Sequence, residues 1–455
     1  MKKSLLLGSA AALIAVSGAQ AADMPIVEPV DYVRVCDAFG AGFHYIPGTE
    51  TCLRFSGRVR TEFGIRDDND DDTVDSTFFN SNFELVVNAS SMTEVGMLVG
   101  QFAISGSNEG NVSLGDAWIT IGENILVGRE TSRYDFGGGY GIYDGYYVDE
   151  GINQFTFIMP FGNGLSMTLG LEDGRDRRAK IAQYAGEDVT VNGTYTTQFV
   201  DSKTFKTDTN GPSVIGGTKT FVSSVFTKTV VYNVNTVIST GSNLGDAKYG
   251  GMEIPDVVAS LRISQGWGSA QISGALHQIR AITTMPAGPF SSPTSTFFVT
   301  PPLVAAGTLD TDYGWAVQAG VELNVGSMTK VKVVGAYADG AMHYIGGSDF
   351  YEAAVDLTTG NITDTMSGWY VLAGLSQDFS SNLNLGITGA YHDFDDQAEI
   401  WMVGATLQYE VVENLLVSLA GQYVDTKIED NEALDLDADD SSDSWEAKLR
   451  IQRNF

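Results

Sequence analysis

The chain has 455 residues, with 26 basic against 57 acidic side chains and a formal net charge of −31. That charge repels nucleic acid, and no Lys/Arg-rich patch offsets it. Four His and 2 Cys do not supply a clustered metal site, and no Gly-x-Ser-x-Gly or His-Glu-x-x-His motif accompanies them.

Lys2 and Lys3 begin the chain, an apolar run follows from Leu5 to Val16, and Ala19-Gln20-Ala21 is a small-x-small cleavage site. Residues 1–21 therefore read as a cleaved secretory signal. Removing them takes two lysines and no acid, which leaves −33. The run is shorter than the roughly 20 apolar residues a spanning helix needs, and no later stretch approaches that length. An exported chain of this kind can sit in a membrane only as a closed barrel. The mean hydropathy of −0.02 suits a barrel, because apolar and polar positions alternate and cancel. The 52 Gly, 23 Phe and 19 Tyr suit curved strands and interfacial aromatic girdles.

Residues 22–52 form an N-terminal periplasmic segment. Cys36 and Cys52 bracket a short loop rich in turn residues, and an even pair in an exported protein reads as a disulfide. The chain-entropy account gives such a loop about 3 kcal/mol. His44 alone between them makes no metal site.

The barrel spans 53–455. Its first strand starts at Leu53, with Leu53, Phe55, Val59, Phe63 and Ile65 on one face and Arg54, Ser56, Arg58, Arg60 and Glu62 on the other. A period of two means a β-strand. Further strands follow at Thr77–Ser90, Val95–Ser105, Ser113–Ile121, Asn124–Glu130, Asn153–Pro160 and Leu165–Glu172. An irregular stretch, residues 173–251, reads as a long outer-loop insertion. Clean alternation returns at Asp256–Gln265, Ser269–Arg280, Tyr313–Val325, Met328–Asp339, Gly368–Gln377, Leu383–Phe394, Glu399–Glu410 and Leu415–Lys427. The last strand runs from Ser444 to Phe455, with Trp445, Ala447, Leu449, Ile451 and Phe455 on one face and Glu446, Lys448, Arg450, Gln452 and Asn454 on the other. The fold class is all-β, a transmembrane antiparallel β-barrel of about 16 strands. Short and long connections alternate along it, as periplasmic turns and outer loops do.

The chain resembles the alphaproteobacterial general porins. The similarity is carried by Tyr32-Val-Arg-Val-Cys-Asp-Ala-Phe-Gly40, Tyr45-Ile-Pro-Gly-Thr-Glu-Thr-Cys-Leu53, the run from Pro255 to Gln271, Gly314-Trp-Ala-Val-Gln-Ala-Gly320 and Tyr337-Ala-Asp-Gly340. Residues 173–251 match the family poorly. The resemblance implies a homotrimeric outer-membrane channel, set among outer-membrane lipid and lipopolysaccharide, that passes small hydrophilic solutes and ions by diffusion without a cofactor. It also implies that the third outer loop folds into the lumen as a constriction.

Two opposed charge sets then stand out. Closure pairs the last strand with the first, so Arg54, Arg58, Arg60, Lys448 and Arg450 should form one basic patch on the inner wall. Five like charges suit a water-filled lumen and not a dry core. Asp135, Asp144, Asp149 and Glu150 on the third loop are the expected acids opposite, and together they would set a transverse field. The strongly acidic outer stretches Asp67–Asp72 and Glu429–Asp443 read as solvated charge without the spacing of an EF-hand. A barrel enzyme using His277 or His392, or a plugged barrel acting as adhesin or scaffold, are the alternative readings. Each lacks a supporting motif.

Overall fold

The computed structural model describes residues 34–68, 76–108, 110, 112–145, 151–184, 189–200, 227–238, 246–284, 291–292, 295–296, 309–356, 360–430 and 441–455. The signal at 1–21, Asp149, Glu150 and most of both acidic stretches lie outside them.

Sixteen strands build the wall. In chain order they are β1 (Cys52–Asp68), β2 (Thr77–Thr93), β3 (Gly96–Ser107), β4 (Ser113–Ile121), β5 (Ile125–Thr131), β6 (Gly151–Gly162), β7 (Leu165–Glu172) and β8 (Asp256–Gln265). They continue as β9 (Gly268–Thr284), β10 (Leu309–Val325), β11 (Thr329–Asp339), β12 (Ser367–Ser380), β13 (Leu383–Phe394), β14 (Ala398–Val412), β15 (Leu415–Ile428) and β16 (Ser442–Asn454). Each pairs antiparallel with the next. β16 returns to β1 in the register Arg58 opposite Asn454 through Asp68 opposite Ser444, so the sheet closes. Phe455 completes the seam: its backbone exchanges two 3.0 Å hydrogen bonds with Gly57. Closure leaves no unpaired edge for lipid to meet.

The alternation is resolved as expected. Phe55, Val59, Phe63 and Ile65 of β1 face out, as do Trp445, Leu449, Ile451 and Phe455. Outward aromatic pairs ring the long-loop end: Trp315 with Tyr337 at 5.4 Å, Trp369 with Tyr391 at 5.3 Å, and Trp401 with Tyr423 at 5.1 Å. Exposed Phe161, Trp267, Phe379, Tyr409 and Phe455 mark the short-turn end. Two such girdles are what a barrel crossing a bilayer presents at its interfaces.

At the short-turn end the Cys36–Cys52 disulfide is formed, and His44–Tyr45 pairs with Leu53 and Cys52. At the other end, two connections fold inward. Residues 173–184 supply a short 3-10 turn (Gly174–Arg177) and a strand (Lys180–Tyr184). The β11–β12 connection supplies Met342–Ile345 and the strands Tyr351–Asp356 and Ile362–Thr365. Tyr351–Asp356 pairs with both of the other short strands, so a small three-stranded sheet lies within the outer half of the barrel. Met342, Tyr344 and Ile345 are fully buried with Leu372 and Phe394 of the wall.

Candidate pore constriction

β5 is only seven residues long, so the wall is low where the third outer loop departs. The loop turns inward and follows the inner wall from β8 round to β14. Its backbone is held by wall side chains along the way. The Phe136 N–H donates to Gln318 at 2.8 Å, Tyr140 N–H to Thr388 at 2.7 Å and Ile142 N–H to Thr406 at 2.9 Å. Each bond satisfies a donor that a loop away from bulk water would otherwise leave unpaired.

The wall is cut back beneath it. Gly320, Gly374, Gly386 and Gly404 lie on the inner faces of β10, β12, β13 and β14. A Cβ at each would stand 2.3 Å from Phe136, 3.0 Å from Tyr140, 3.0 Å from the Gly141 nitrogen and 2.7 Å from the Tyr143 Cβ, respectively. The four glycines form a track in which the loop lies. At its far end Tyr143 donates from its hydroxyl to Glu446 of β16 at 2.5 Å, and the Lys448 ammonium sits 4.7 Å from the centre of the Tyr143 ring.

The basic wall assembles in register. Arg60 faces Gln452, Glu62 faces Arg450 and Gly64 faces Lys448. Arg58 pairs with Glu84 at 2.7 Å and Lys448 with Glu446 at 2.7 Å; Arg450 pairs with Glu62. Arg60 donates to the neutral Gln452 at 2.8 Å. Arg58 and Glu84 are 37% and 30% exposed, so this pair lines water and is worth about 0–1 kcal/mol, whereas the Lys448–Glu446 and Arg450–Glu62 pairs are more buried. Arg54 is set apart from the other four. It lies nearer the short turns, bonded to Asn88 at 3.2 Å and stacked 4.9 Å over Phe43 of the disulfide loop. The register places it below the last paired position of β16, which is why it does not join the patch.

The loop acids divide. Asp144 is half-buried on the inward loop, where its carbonyl accepts from Gly139 N–H at 2.7 Å. Asp135 takes another position than expected. Its side chain is 2% exposed and its carboxylate lies 3.3 Å from the fully buried Arg177. A carboxylate sealed beside a guanidinium contributes little to a field in the lumen.

Two lumen cations escaped the sequence reading. Arg262 of β8 and Lys332 of β11 flank Phe136, at 5.2 and 5.5 Å from its ring. Lys332 also pairs with Glu322 at 3.3 Å. Strand order sets β8–β11 across the barrel from β16–β1. Their inward parity was readable, but single charges on unrelated strands give no signal without a three-dimensional frame.

His277 and His392 point inward, yet neither faces water: they are 1% and 0% exposed. His277 Nδ1 lies 2.8 Å from Asp256, and His392 Nδ1 lies 3.1 Å from the Ile345 carbonyl. Sealed under the inward loops, they act in packing and not in chemistry on a solute. Among the described residues no group of three His, Cys, Asp or Glu is arranged to hold a metal.

A profile of the porin subfamily matches residues 23–448. The chain belongs to this family. Porin Omp2b of Brucella suis is 28% identical over 476 aligned positions, which cover 100% of this chain and 99% of that one. Porin Omp2a of Brucella ovis is 39% identical over 209 positions, 38% of this chain and 59% of that one. The outer membrane channel DcaP of Acinetobacter baumannii superposes with a TM-score of 0.60 at 13% identity, covering 90% of this chain and 99% of that chain; that likeness bears on the fold alone. The porin is an outer-membrane channel for passive diffusion and not an enzyme.

Proposed function

We propose that the constriction of this porin lies between the inward loop and the β16–β1 wall, and that it sorts small hydrophilic solutes and ions by size and weakly by charge. The observation that carries the reading is the course of the loop. It fills the β8–β14 side, fixed at Gln318, Thr388 and Thr406, and leaves the half-exposed Arg58 and its neighbours bordering the passage.

The charges near the passage almost balance. Glu62, Glu84 and Glu446 offset three of the wall cations, and Glu322 offsets Lys332. Asp144, half-buried on the inward loop, is the acid set against the remainder, and Asp149 and Glu150 follow it in the sequence. The acidic outer stretches add a cation-attracting bias that is screened beyond about 8–10 Å at physiological salt. The expected result is weak cation selectivity that fades as salt rises. Conductance and reversal potential in a planar bilayer test this directly. Anion preference at low salt, or a non-conducting protein, would count against it.

The porin assembles as a homotrimer among lipopolysaccharide and outer-membrane lipid, and its first 21 residues are removed on export. Family membership supports the first statement, and the n-region, apolar run and Ala19-Gln20-Ala21 support the second. Unboiled protein migrating only as a monomer, or an intact residue 1–21 segment in outer-membrane material, would overturn them.

A further inference from the structure

We propose that Arg177, from the long connection after β7, is the positioning residue that pins the root of the inward loop; this rests on that loop being the constriction. Among the described residues Arg177 is the only fully buried Lys or Arg. Its guanidinium joins three elements that are far apart in sequence. It meets Asp135 of the inward loop at 3.3 Å and Glu172 at the end of β7 at 3.9 Å. It also stacks 4.6 Å over Tyr344 of the β11–β12 connection.

Each contact is itself fixed. Tyr344 packs edge-on against Tyr134 of the inward loop, ring centres 4.9 Å apart, and its hydroxyl donates to Asp256 of β8 at 2.8 Å. Ser132, at the loop's root, donates to Glu172 at 2.6 Å and accepts from Tyr134 N–H at 3.1 Å. Ser273 of β9 donates to the Tyr134 carbonyl at 2.6 Å. The loop is therefore held at two places. Its tip lies in the glycine track on bonds to Thr388 and Thr406 and on the Tyr143–Glu446 bond, and its root is fastened by hydrogen bonds from Gln271 and Ser273 together with one buried cation between two buried carboxylates. A planar guanidinium can serve both carboxylates and a ring face together; an ammonium cannot. Removing the cation takes away the counter-ion that Asp135 and Glu172 share. A carboxylate that stays ionised there must be hydrated, which requires the root to lift.

Single-channel recording tests the pin. Arg177→Met should raise open-channel current noise several-fold and spread the conductance over several levels, and Arg177→Lys should restore it only in part. Asp135→Asn is the milder variant, since Arg177 keeps Glu172; it should show the same noise at smaller amplitude, and it carries the test if Arg177→Met does not assemble. A tether then separates loop motion from general loosening. A Cβ built on Gly145 lies 3.7 Å from the Ala390 Cβ, within disulfide range; it must take a left-handed φ of +98° and displace Leu372 Cδ1, 2.5 Å away at the end of a flexible side chain, so the tethered parent is recorded as the control. Oxidised Gly145→Cys with Ala390→Cys should quieten the Arg177→Met channel. Equal noise in assembled parent and variant, or noise the tether leaves untouched, would overturn the pin. If instead Arg58→Ser with Arg60→Ser leaves the reversal potential unmoved, the constriction reading fails and not the pin alone.

Discussion

The two halves of the barrel use the same alternation to opposite ends. On the β8–β14 side, inner positions carry Ala, Leu, Phe, Met, Gly and buried histidines, and three inward segments pack onto them like a soluble core. On the β16–β5 side, inner positions carry Arg, Lys, Glu, Asn and Gln that bond to each other across the strands. A barrel wall needs only its outer face to be apolar. The inner face is free to be a core in one sector and a water-lined surface in the next. Packing energy therefore resides in the first half and solute contact in the second, and perturbations should separate along that line.

The largest expected effect falls in the packed half. Tyr344 is 1% exposed and touches Arg177, Tyr134 and Asp256. Tyr344→Ala should cost about 3–5 kcal/mol by cavity formation and lost hydrogen bonding. Limited proteolysis should show the inward segments becoming cleavable while the wall survives. Unchanged protection would mean that this half is not a cooperative core.

The packed half should also respond to pH, on both sides. Burial holds the Glu352 carboxyl well above its usual range, against the pull of Arg178, with His277 Nε2 at 3.6 Å. Its contribution is full at low pH and is lost as pH rises through the raised value. Burial, with Arg177 and His277 nearby, lowers His343 to about 4. Its contribution is full above about 6.5 and is lost as pH falls toward 4, on the order of 3 kcal/mol in total. Protection of residues 342–356 should thus peak between these limits. Glu352→Gln should flatten the alkaline limb alone; an unaltered alkaline limb would contradict the assignment.

In the charged half, substitutions should alter transport with little cost in stability. Arg58→Ser with Arg60→Ser should move the reversal potential toward cations and change the unfolding free energy by about 1 kcal/mol or less. Arg262→Gln with Lys332→Gln should move it the same way by a smaller step, because these side chains flank the packed loop. A larger step from the second pair would place the passage on the other side of the lumen.

The smallest effect is expected at the short-turn end. Replacing Cys36 and Cys52 by Ser should lower thermal stability modestly, within the 0–5 kcal/mol that disulfides span, and leave conductance unchanged. A clear change in conductance would show that the loop carrying Phe43 narrows the exit.

The wall was legible in the sequence because a period of two survives without any knowledge of partners. All sixteen strands, the seam between β16 and β1 and the disulfide follow from local pattern. The inner core did not follow. Gly320, Gly374, Gly386 and Gly404 each look like an ordinary strand glycine, and they become a track only when the loop lies across them. Asp135 looked like a pore acid because its partner, Arg177, is 42 residues away in a stretch without periodicity. Loops fold onto the wall through single side chains, and single side chains leave no repeat to read.

The central claim is that solutes pass along the β16–β1 wall while the opposite half is closed. Thiol labelling during single-channel recording tests it most directly, using a charged methanethiosulfonate on two single-cysteine variants with the native disulfide intact. Arg60→Cys should lose conductance in one step per channel within the mixing time, and Ala390→Cys, 7% exposed beneath the inward loop, should not respond. Block at Ala390→Cys with no block at Arg60→Cys would contradict the account.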